Sequence, residues 1–185
     1  MKQQNPRDEL VEHLPALRAF ALSLTRNRAM ADDMMQDTLL KAWSNIDKFT
    51  PGTNMRAWLF TILRNNFYSN HRKHRREVAD VDSIFADGMS VKPEHDGRLQ
   101  MRDFKIAFDQ LPAEQREALM LVGASGFSYD EAAETCGVAT GTIKSRVNRA
   151  RARLTELLNL EDDGSMELTD EVTMSVITNS KGFSS

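Results

Sequence analysis

Residues Gly126–Leu158 read GFSYDEAAETCGVATGTIKSRVNRARARLTELL, and this stretch decides how the C-terminal half of the chain folds. Ser128 and Glu131 have the S-x-x-E spacing of a capping box, in which each side chain satisfies a free backbone N–H at the start of a helix. Gly137 stands where that helix is expected to end in a left-handed residue, which glycine adopts without a steric clash. A short helix, a glycine turn and a second helix form a helix-turn-helix, which places its second helix in the DNA major groove.

The second helix of this motif carries the local positive charge. It is predicted to start with Thr140 or Thr142 as its N-cap, and it contains no acid before Glu156. Its apolar stripe consists of Ile143, Val147, Ala150 and Leu154. Its cations, all off that stripe, are Lys144, Arg146, Arg149, Arg151 and Arg153. Basic amphipathic helices are common, so plain helix packing without DNA binding is the alternative interpretation of this stretch alone.

Composition allows one or two globular domains and gives no sign of a membrane span. The chain has 185 residues, 41% of them hydrophobic, and no apolar run approaches the ~20 residues that cross a bilayer. The first ten residues contain no apolar signal-peptide region. The single cysteine, Cys136, excludes an internal disulfide and fits a reducing cytosol, so we expect a cytoplasmic protein. We also expect Cys136 to be a small buried filler rather than a nucleophile.

Positive and negative charges are segregated along the chain. Every Asp, Glu, Lys or Arg between residues 48 and 76 is basic, whereas acids dominate residues 77–96 and the tail from residue 161. The net charge of −3 therefore hides strong local fields, which act over about 10 Å in physiological salt. These local fields, and not the net charge, determine which partner docks at each segment.

Apolar residues recur at helical spacing through most of the chain, and no segment alternates as a strand does. The predicted fold class is all-α, with two small helical domains joined by an acidic linker. The predicted helices span residues 7–25 with a break near Pro15, 28–46, 55–76, 98–110 and 113–122, followed by the helix-turn-helix. The predicted boundaries are a first domain at 7–76, a linker at 77–97, a second domain at 98–160 and an acidic tail at 161–185.

The segment from Phe49 to Arg76 has the composition of a surface for single-stranded nucleic acid. Cations, amides and aromatic rings are interleaved along it without any acid, and such groups hold phosphates, read base edges and stack on bases. Its predicted core stripe consists of Trp58, Leu59, Ile62, Leu63 and Phe67. An ordinary core helix with a basic exposed side is the alternative, which explains Trp58 well but Phe49 poorly.

Two pairs of residues have spacings that resemble catalytic or metal sites. Asp33 and Asp37 lie one helical turn apart, but no His or Cys accompanies them, so a solvated or partner-facing acidic surface is the better interpretation. His71 and His74 lie among Arg and Lys side chains that repel cations. Since the sequence also lacks a glycine-rich phosphate loop and a nucleophile–base pair, we expect no enzyme activity, no metal and no cofactor.

Together, these motifs resemble those of bacterial RNA polymerase sigma factors of the extracytoplasmic-function (group IV) family, over about residues 7–160. Ala31–Trp43, ADDMMQDTLLKAW, resembles the family's core-polymerase-binding helix, and Phe49–Asn65 resembles its −10 promoter segment. Leu111–Ala118, LPAEQREA, and residues 126–154, which include the run GTIKSR, resemble its −35 domain. Within the family, the sequence is most similar to the EcfG group, the general stress sigma factors of alphaproteobacteria.

The resemblance implies a sigma2-like and a sigma4-like domain that bind core RNA polymerase and direct promoter recognition and strand opening. A pocket of Phe49, the loop 50–54 and Asn65 would capture a flipped base of the −10 element. The implied contacts with the polymerase β′ and β subunits are Asp33, Gln36, Asp37 and Lys41. The implied −10 contacts are Phe49, Thr53, Asn54, Arg64, Asn65, Arg72 and Lys73. The implied −35 contacts are Thr140, Thr142, Lys144, Ser145, Arg146, Asn148, Arg149 and Arg153.

The resemblance to the EcfG group also implies a regulatory pair of partners. A small NepR-like anti-sigma factor would hold the free protein, and a PhyR-like response regulator would release it. The implied regulon consists of stress-response genes.

Two other functions compete with this interpretation. A sigma-like decoy, as in PhyR-type regulators, would sequester an anti-sigma factor without reading promoters, but the 25 residues after Leu160 are too few for the receiver domain that follows such decoys. The unbroken basic segment between Arg56 and Arg76 also favours promoter binding. A stand-alone helix-turn-helix repressor would explain the second domain but not the base-stacking segment of the first.

Overall fold

The computed structural model describes residues 6–50, 52–78 and 96–158, which form eight α-helices and two short helical turns. The first four helices are α1 (Pro6–Glu12), α2 (Leu14–Thr25), α3 (Arg28–Ser44) and α4 (Met55–Val78), with a 3-10 turn at Ile46–Lys48. The last four are α5 (Asp96–Asp109), α6 (Ala113–Leu119), α7 (Tyr129–Cys136) and α8 (Thr140–Leu157), with a π turn at Met120–Ala124. The all-α fold is confirmed. Residues 79–95 of the predicted linker and the tail from residue 161 lie outside the described residues.

Helices α2, α3 and α4 pack together and form the core of the N-terminal half. Pro15 separates α1 from α2 as predicted, because its ring fits the first turn of a helix but not an interior position. Asn27 caps α3 by accepting a hydrogen bond from the Met30 amide, and Asn54 does the same for α4 through the Ala57 amide. The fully buried side chains of this half include Leu17, Phe20, Leu24, Met55, Leu59, Phe60 and Leu63.

The C-terminal half contains the predicted helix-turn-helix as α7 and α8. Ser128 and Glu131 form both hydrogen bonds of the capping box, and Gly137 ends α7 at φ 65°, so both predictions are confirmed. The predicted N-cap of α8 is wrong, because Ala139 occupies that position and makes no side-chain cap. The Thr140 hydroxyl donates instead to Asp130 Oδ1 at 2.7 Å, which ties α8 to α7.

The two halves pack directly against each other, with α2 against α6 and α4 against α7. Phe60, which the predicted core stripe omitted, lies between Phe20 of its own half and Phe127 of the other, with ring centroids 4.9 and 5.1 Å away. Arg116 of α6 is buried and donates to the carbonyl oxygens of Ser23 and Leu24, at 2.7 and 3.3 Å, near the end of α2. Each of these carbonyls belongs to the last turn of a helix, where no intrahelical donor remains.

None of the described helices has the length and apolar character to cross a membrane.

Candidate nucleic-acid interface

A cavity of about 380 Å³ lies between the end of α3, the 3-10 turn and α4. Its volume is in the range of small-ligand sites and suits a single base. Its lining combines two cations, several amides, a hydroxyl and an indole, from Lys41, Asn45, Lys48, Trp58, Ile62, Asn65, Asn66 and Ser69. An apolar face with polar groups around it is the arrangement that binds a flipped base by stacking and edge hydrogen bonds.

Most polar groups of this cavity are held in place by hydrogen bonds, mainly to one another. Lys41 Nζ donates to Asn66 Oδ1, and Asn66 Nδ2 donates in turn to Thr38 Oγ1 at 3.1 Å. Asn66 is buried, although the sequence places it among the exposed groups of α4. Lys48 Nζ donates to Asn45 Oδ1 at 2.9 Å. Asn65 is exposed and its amide makes no hydrogen bond to any residue that the structure describes, so its donor and acceptor remain available for a ligand.

Three residues predicted to form the base pocket occupy other positions. Phe49 is 6% exposed and packs behind Trp58, with the ring centroids 5.3 Å apart, so it supports the indole and cannot stack on a base itself. Thr53 donates to the Thr50 carbonyl at 2.7 Å and holds the turn before α4. Asn54 Nδ2 donates to Glu131 Oε1 of the other half at 3.1 Å. Lys41, predicted to contact polymerase, is exposed and also lines the cavity.

The cations of α4 are divided between solvent and the contact with the other half. Arg72 and Lys73 are exposed, as a phosphate-binding role requires. Arg64 is half-buried, with Nε 2.7 Å from Oε1 of the buried Glu117 and its guanidinium 4.6 Å from the ring centre of Tyr68. Burial lowers the pKa of Arg64, but the charges of Glu117, Cys136 and Tyr68 and the hydrogen bond to Glu117 together outweigh burial, so the pKa is raised. Burial also raises the pKa of Glu117, with Arg64 acting in the opposite direction.

Helix α8 presents only part of its predicted DNA-reading set to solvent. The exposed members are Lys144, Asn148, Arg149 and Arg153, and the half-buried ones are Thr140, Thr142, Ser145 and Arg146. Arg146 turns towards α6, where its guanidinium lies 3.3 Å from Glu114 and 4.0 Å from Glu117. Arg153 pairs with Glu156 at 2.6 Å on the exposed surface, where such a pair is easily exchanged for a phosphate. Of the residues predicted to read bases, Lys144, Asn148 and Arg149 therefore lie in solvent.

The acidic surface of α3 is accompanied by an exposed apolar patch that the sequence did not predict. Asp33, Gln36 and Asp37 are exposed, as expected for a partner-facing surface. Leu40 and Trp43 on the same helix are 68% and 52% exposed. The helical spacing of apolar residues in α3 predicts Trp43 on the core side, and its exposure shows that this prediction is wrong. Large exposed apolar side chains beside charged ones are typical of a protein-binding surface.

Cys136 is buried at the end of α7, as predicted, and it is expected to be a poor nucleophile. Burial, with a further contribution from the charge of Glu117, raises the pKa of its thiol to about 12. Only the thiolate reacts, so iodoacetamide at pH 8 should alkylate native Cys136 at least about a hundredfold more slowly than free glutathione. Unfolding in urea should restore the alkylation rate of an ordinary thiol. Mass spectrometry measures the alkylation, and a fast reaction of the native protein would contradict the burial of Cys136.

Comparison with known proteins shows that the chain is similar to sigma factors of RNA polymerase. The sigma-70 region 2 model matches residues 10–77, and the sigma-70 region 4 model matches residues 106–154. The chain is 51% identical over 176 residues to "ECF RNA polymerase sigma factor EcfG" of Rhodopseudomonas palustris (strain TIE-1), covering 95% of this chain and 96% of that protein.

Two solved structures share the fold. The sigma factor RpoE, in its complex with the anti-sigma factor NepR from Bartonella quintana, matches with a TM-score of 0.76 and 55% identity, over 84% of this chain and 97% of that chain. The PhyRSL–NepR complex from Sphingomonas sp. Fr1 matches with a TM-score of 0.62 and 21% identity, over 85% of this chain and 92% of that chain. The second likeness concerns the fold alone.

Proposed function

This chain belongs to the extracytoplasmic-function sigma factors, which bind core RNA polymerase and direct it to promoters, and we propose which of its surfaces perform each part of that task. Sigma factors are regulators without a catalytic activity of their own, and the groups described above act by binding. The cavity beside α4 carries the proposal, because it joins an aromatic wall to an available amide within the region 2 match.

The cavity captures one flipped base of the −10 element. The base stacks on Trp58, whose ring is supported from behind by Phe49. The amide of Asn65 bonds to the base edge, and Lys41 and Lys48 at the rim attract the neighbouring phosphates. Extruding a base costs a few kcal/mol, and these contacts offset that cost only once the strands have separated. Recognition of the −10 element thereby drives strand opening.

The exposed cations of the C-terminal half read the −35 duplex. Lys144 and Arg149 suit the O6 and N7 acceptors of guanine, and Asn148 suits adenine, at roughly 1–3 kcal/mol for each well-formed pair. Arg153 lies further along α8, where a contact with phosphate fixes the position of the helix without reading sequence. The positively charged surface of α8 supports this division of roles.

The mixed acidic and apolar surface of α3 binds core polymerase. Asp33, Gln36 and Asp37 provide charge and hydrogen bonds, while Leu40 and Trp43 provide the apolar area that a stable interface desolvates. We assign the energy of this contact mainly to Trp43, because aromatic anchors dominate most protein interfaces.

We further infer that a small NepR-like anti-sigma factor holds this chain in the cytoplasm until a PhyR-like regulator releases it for stress-response genes. The similarity to EcfG and to the RpoE of the RpoE–NepR complex supports this assignment. In a transcription reaction with core polymerase and a promoter carrying a GGAAC-type −35 element, transcripts should appear. A NepR-type protein should abolish them, and a PhyR-type regulator should restore them. Tight anti-sigma binding without transcripts would indicate a decoy, and duplex binding without polymerase would indicate a repressor.

Replacing Arg149 with alanine should weaken −35 recognition while leaving polymerase binding intact. The expected loss is about 1–3 kcal/mol, or roughly 5- to 150-fold in affinity for the −35 sequence, because one base-reading cation disappears. The measurement is competition between −35 and scrambled duplexes for the holoenzyme. Arg102→Ala removes an equally exposed arginine from α5 and serves as the matched control. A parallel loss of core affinity in Arg149→Ala would contradict the division of roles.

A further inference from the structure

Glu117 is a fully buried carboxylate at the contact between the two halves. It lies on α6, and it meets two side chains of α4 that belong to the other half. Arg64 Nε lies 2.7 Å from its Oε1, and the Tyr68 hydroxyl donates to its Oε2 at 3.2 Å. Arg146 of α8 is more distant, at 4.0 Å. The closest partners of this carboxylate are therefore supplied by the half to which it does not belong.

A buried carboxylate is costly unless charges and hydrogen bonds surround it. Glu117 has 0% exposure, and neither α6 nor α8 provides a partner for it as close as Arg64. The C-terminal half therefore pairs this charge well only while α4 covers it. In the packed arrangement Glu117 and Arg64 offset each other's loss of water, so removing the charge of Glu117 leaves Arg64 without its counter-charge and disfavours packing.

The same packing occupies the nucleic-acid side of α4. Arg56 donates to the carbonyl oxygens of Ser125 and Gly126, at 2.6 and 3.3 Å, and its guanidinium lies 4.4 Å from the centre of the Phe127 ring. The two carbonyl oxygens and the aromatic ring contact the guanidinium in the way that phosphate oxygens and a base of a nucleic acid would. With Arg64 held by Glu117, the arginines of α4 on this side have protein partners instead of DNA.

The packed arrangement cannot span a promoter. By their names the −10 and −35 elements lie about 25 base pairs apart, which is about 85 Å of duplex at about 3.4 Å per base pair. In this structure the two halves are in direct contact through ion pairs, aromatic rings and hydrogen bonds. The halves have to separate before both elements can be bound at once.

We propose that Glu117 is the centre of an interdomain latch: its contacts with Arg64 and Tyr68 hold the C-terminal half over α4, so the free chain keeps Arg56 and Arg64 of α4 from DNA until the latch opens. This inference rests on the proposed role of α4 in −10 binding. With a latch of this kind, the apparent DNA affinity equals the affinity of the open form multiplied by the fraction of molecules that are open. Weakening it therefore increases DNA binding, a gain that a damaged fold does not produce.

Three variants of the full chain separate the latch from simpler effects. Glu117→Gln removes the buried charge but keeps the side-chain shape, and Tyr68→Phe removes only the hydroxyl that donates to it. Glu134→Gln is the matched control, because it removes one negative charge from an exposed site on the C-terminal half. Circular dichroism establishes that each variant is helical. If Glu117→Gln does not fold, Tyr68→Phe decides the outcome.

The first measurement is fluorescence anisotropy with a labelled single-stranded −10 oligonucleotide from a promoter that the holoenzyme transcribes. We expect Glu117→Gln to bind at least about tenfold more tightly than the wild type, and Tyr68→Phe to bind several-fold more tightly. Glu134→Gln should match the wild type. If the wild type and all three variants bind the oligonucleotide measurably and with equal affinity, the latch is overturned.

The second measurement uses Cys136, the single cysteine, as a reporter that needs no DNA. Cys136 is buried on α7, which packs against α4 across the contact between the halves, so opening should speed its alkylation. A faster reaction in Tyr68→Phe cannot result from a lost charge, because Glu117 remains. Faster alkylation without tighter oligonucleotide binding would support the latch and refute the proposed −10 role of α4. Unchanged alkylation in both latch variants would refute the latch itself.

Discussion

Replacing Phe60 with alanine is expected to destabilise the protein by about 3–5 kcal/mol, the usual cost of removing a large aromatic side chain from a packed core. Phe60 is fully buried and contacts Phe20 in its own half and Phe127 in the other. The cavity would therefore open between two packed units, both of which lose contacts. Urea unfolding followed by circular dichroism gives the loss in the free energy of unfolding.

Phe67→Ala provides a matched control for this prediction. It is the same substitution on the same helix, but Phe67 is only half-buried and contacts Tyr68 and His71 near the surface. We expect it to cost about 1–2 kcal/mol, in proportion to the smaller apolar area that it buries. Equal losses from both substitutions would show that Phe60 has no special place between the halves.

Local signals in the sequence predict the helices and their ends well, because each rests on residues within one or two turns. The capping box of Ser128 and Glu131, the left-handed Gly137 and the break at Pro15 are all of this kind. The missing cap at Thr140 shows the limit of such signals. As a cap, the Thr140 oxygen would accept from a backbone N–H, whereas in the structure the hydroxyl donates to Asp130, a contact that depends on how two helices pack.

The contact between the halves could not be predicted from such local patterns. Arg116 and Glu117 read as exposed charges of an amphipathic helix, because charged residues are seldom buried without partners. Their partners are the carbonyl oxygens of α2 and the arginine of α4, which are distant in the sequence. One signal was present: Phe60 beside Leu59 widens the apolar surface of α4 beyond one stripe, as expected for a helix that packs on two sides.

The cavity lies in the region predicted for the base pocket, but of the described residues predicted for that pocket Asn65 alone lines it. The sequence shows which aromatic and amide side chains lie within Phe49–Asn65. It does not show which of them contact a ligand and which pack behind those that do. Phe49 lies behind Trp58, and Lys41 reaches the cavity from α3 because Asn66 and Thr38 hold it there. Burial decides these roles, and burial follows from the packing of α3 on α4.

Replacing Asn65 with alanine is expected to reduce promoter opening about 5- to 150-fold while leaving initial docking of the holoenzyme almost unchanged. Its amide lines the cavity, has no partner among the described residues, and contributes only once a base has left the duplex. A lost base-edge contact of this kind costs about 1–3 kcal/mol. Permanganate footprinting measures opening, and a mobility shift on closed duplex measures docking. Asn70→Ala removes an exposed amide from α4 outside the cavity and should change neither measurement.

The base that Asn65 reads can be identified with abasic sites placed one at a time through the −10 element. At the position of the captured base, the abasic template should open equally with the wild type and with Asn65→Ala, because the contact is already absent. At every other position, the full effect of the substitution should persist. This comparison is a double-mutant cycle between one side chain and one base, so it assigns the loss to their contact and not to a general weakening of α4. An effect of Asn65→Ala that persists undiminished at every abasic position would show that the amide contacts no base.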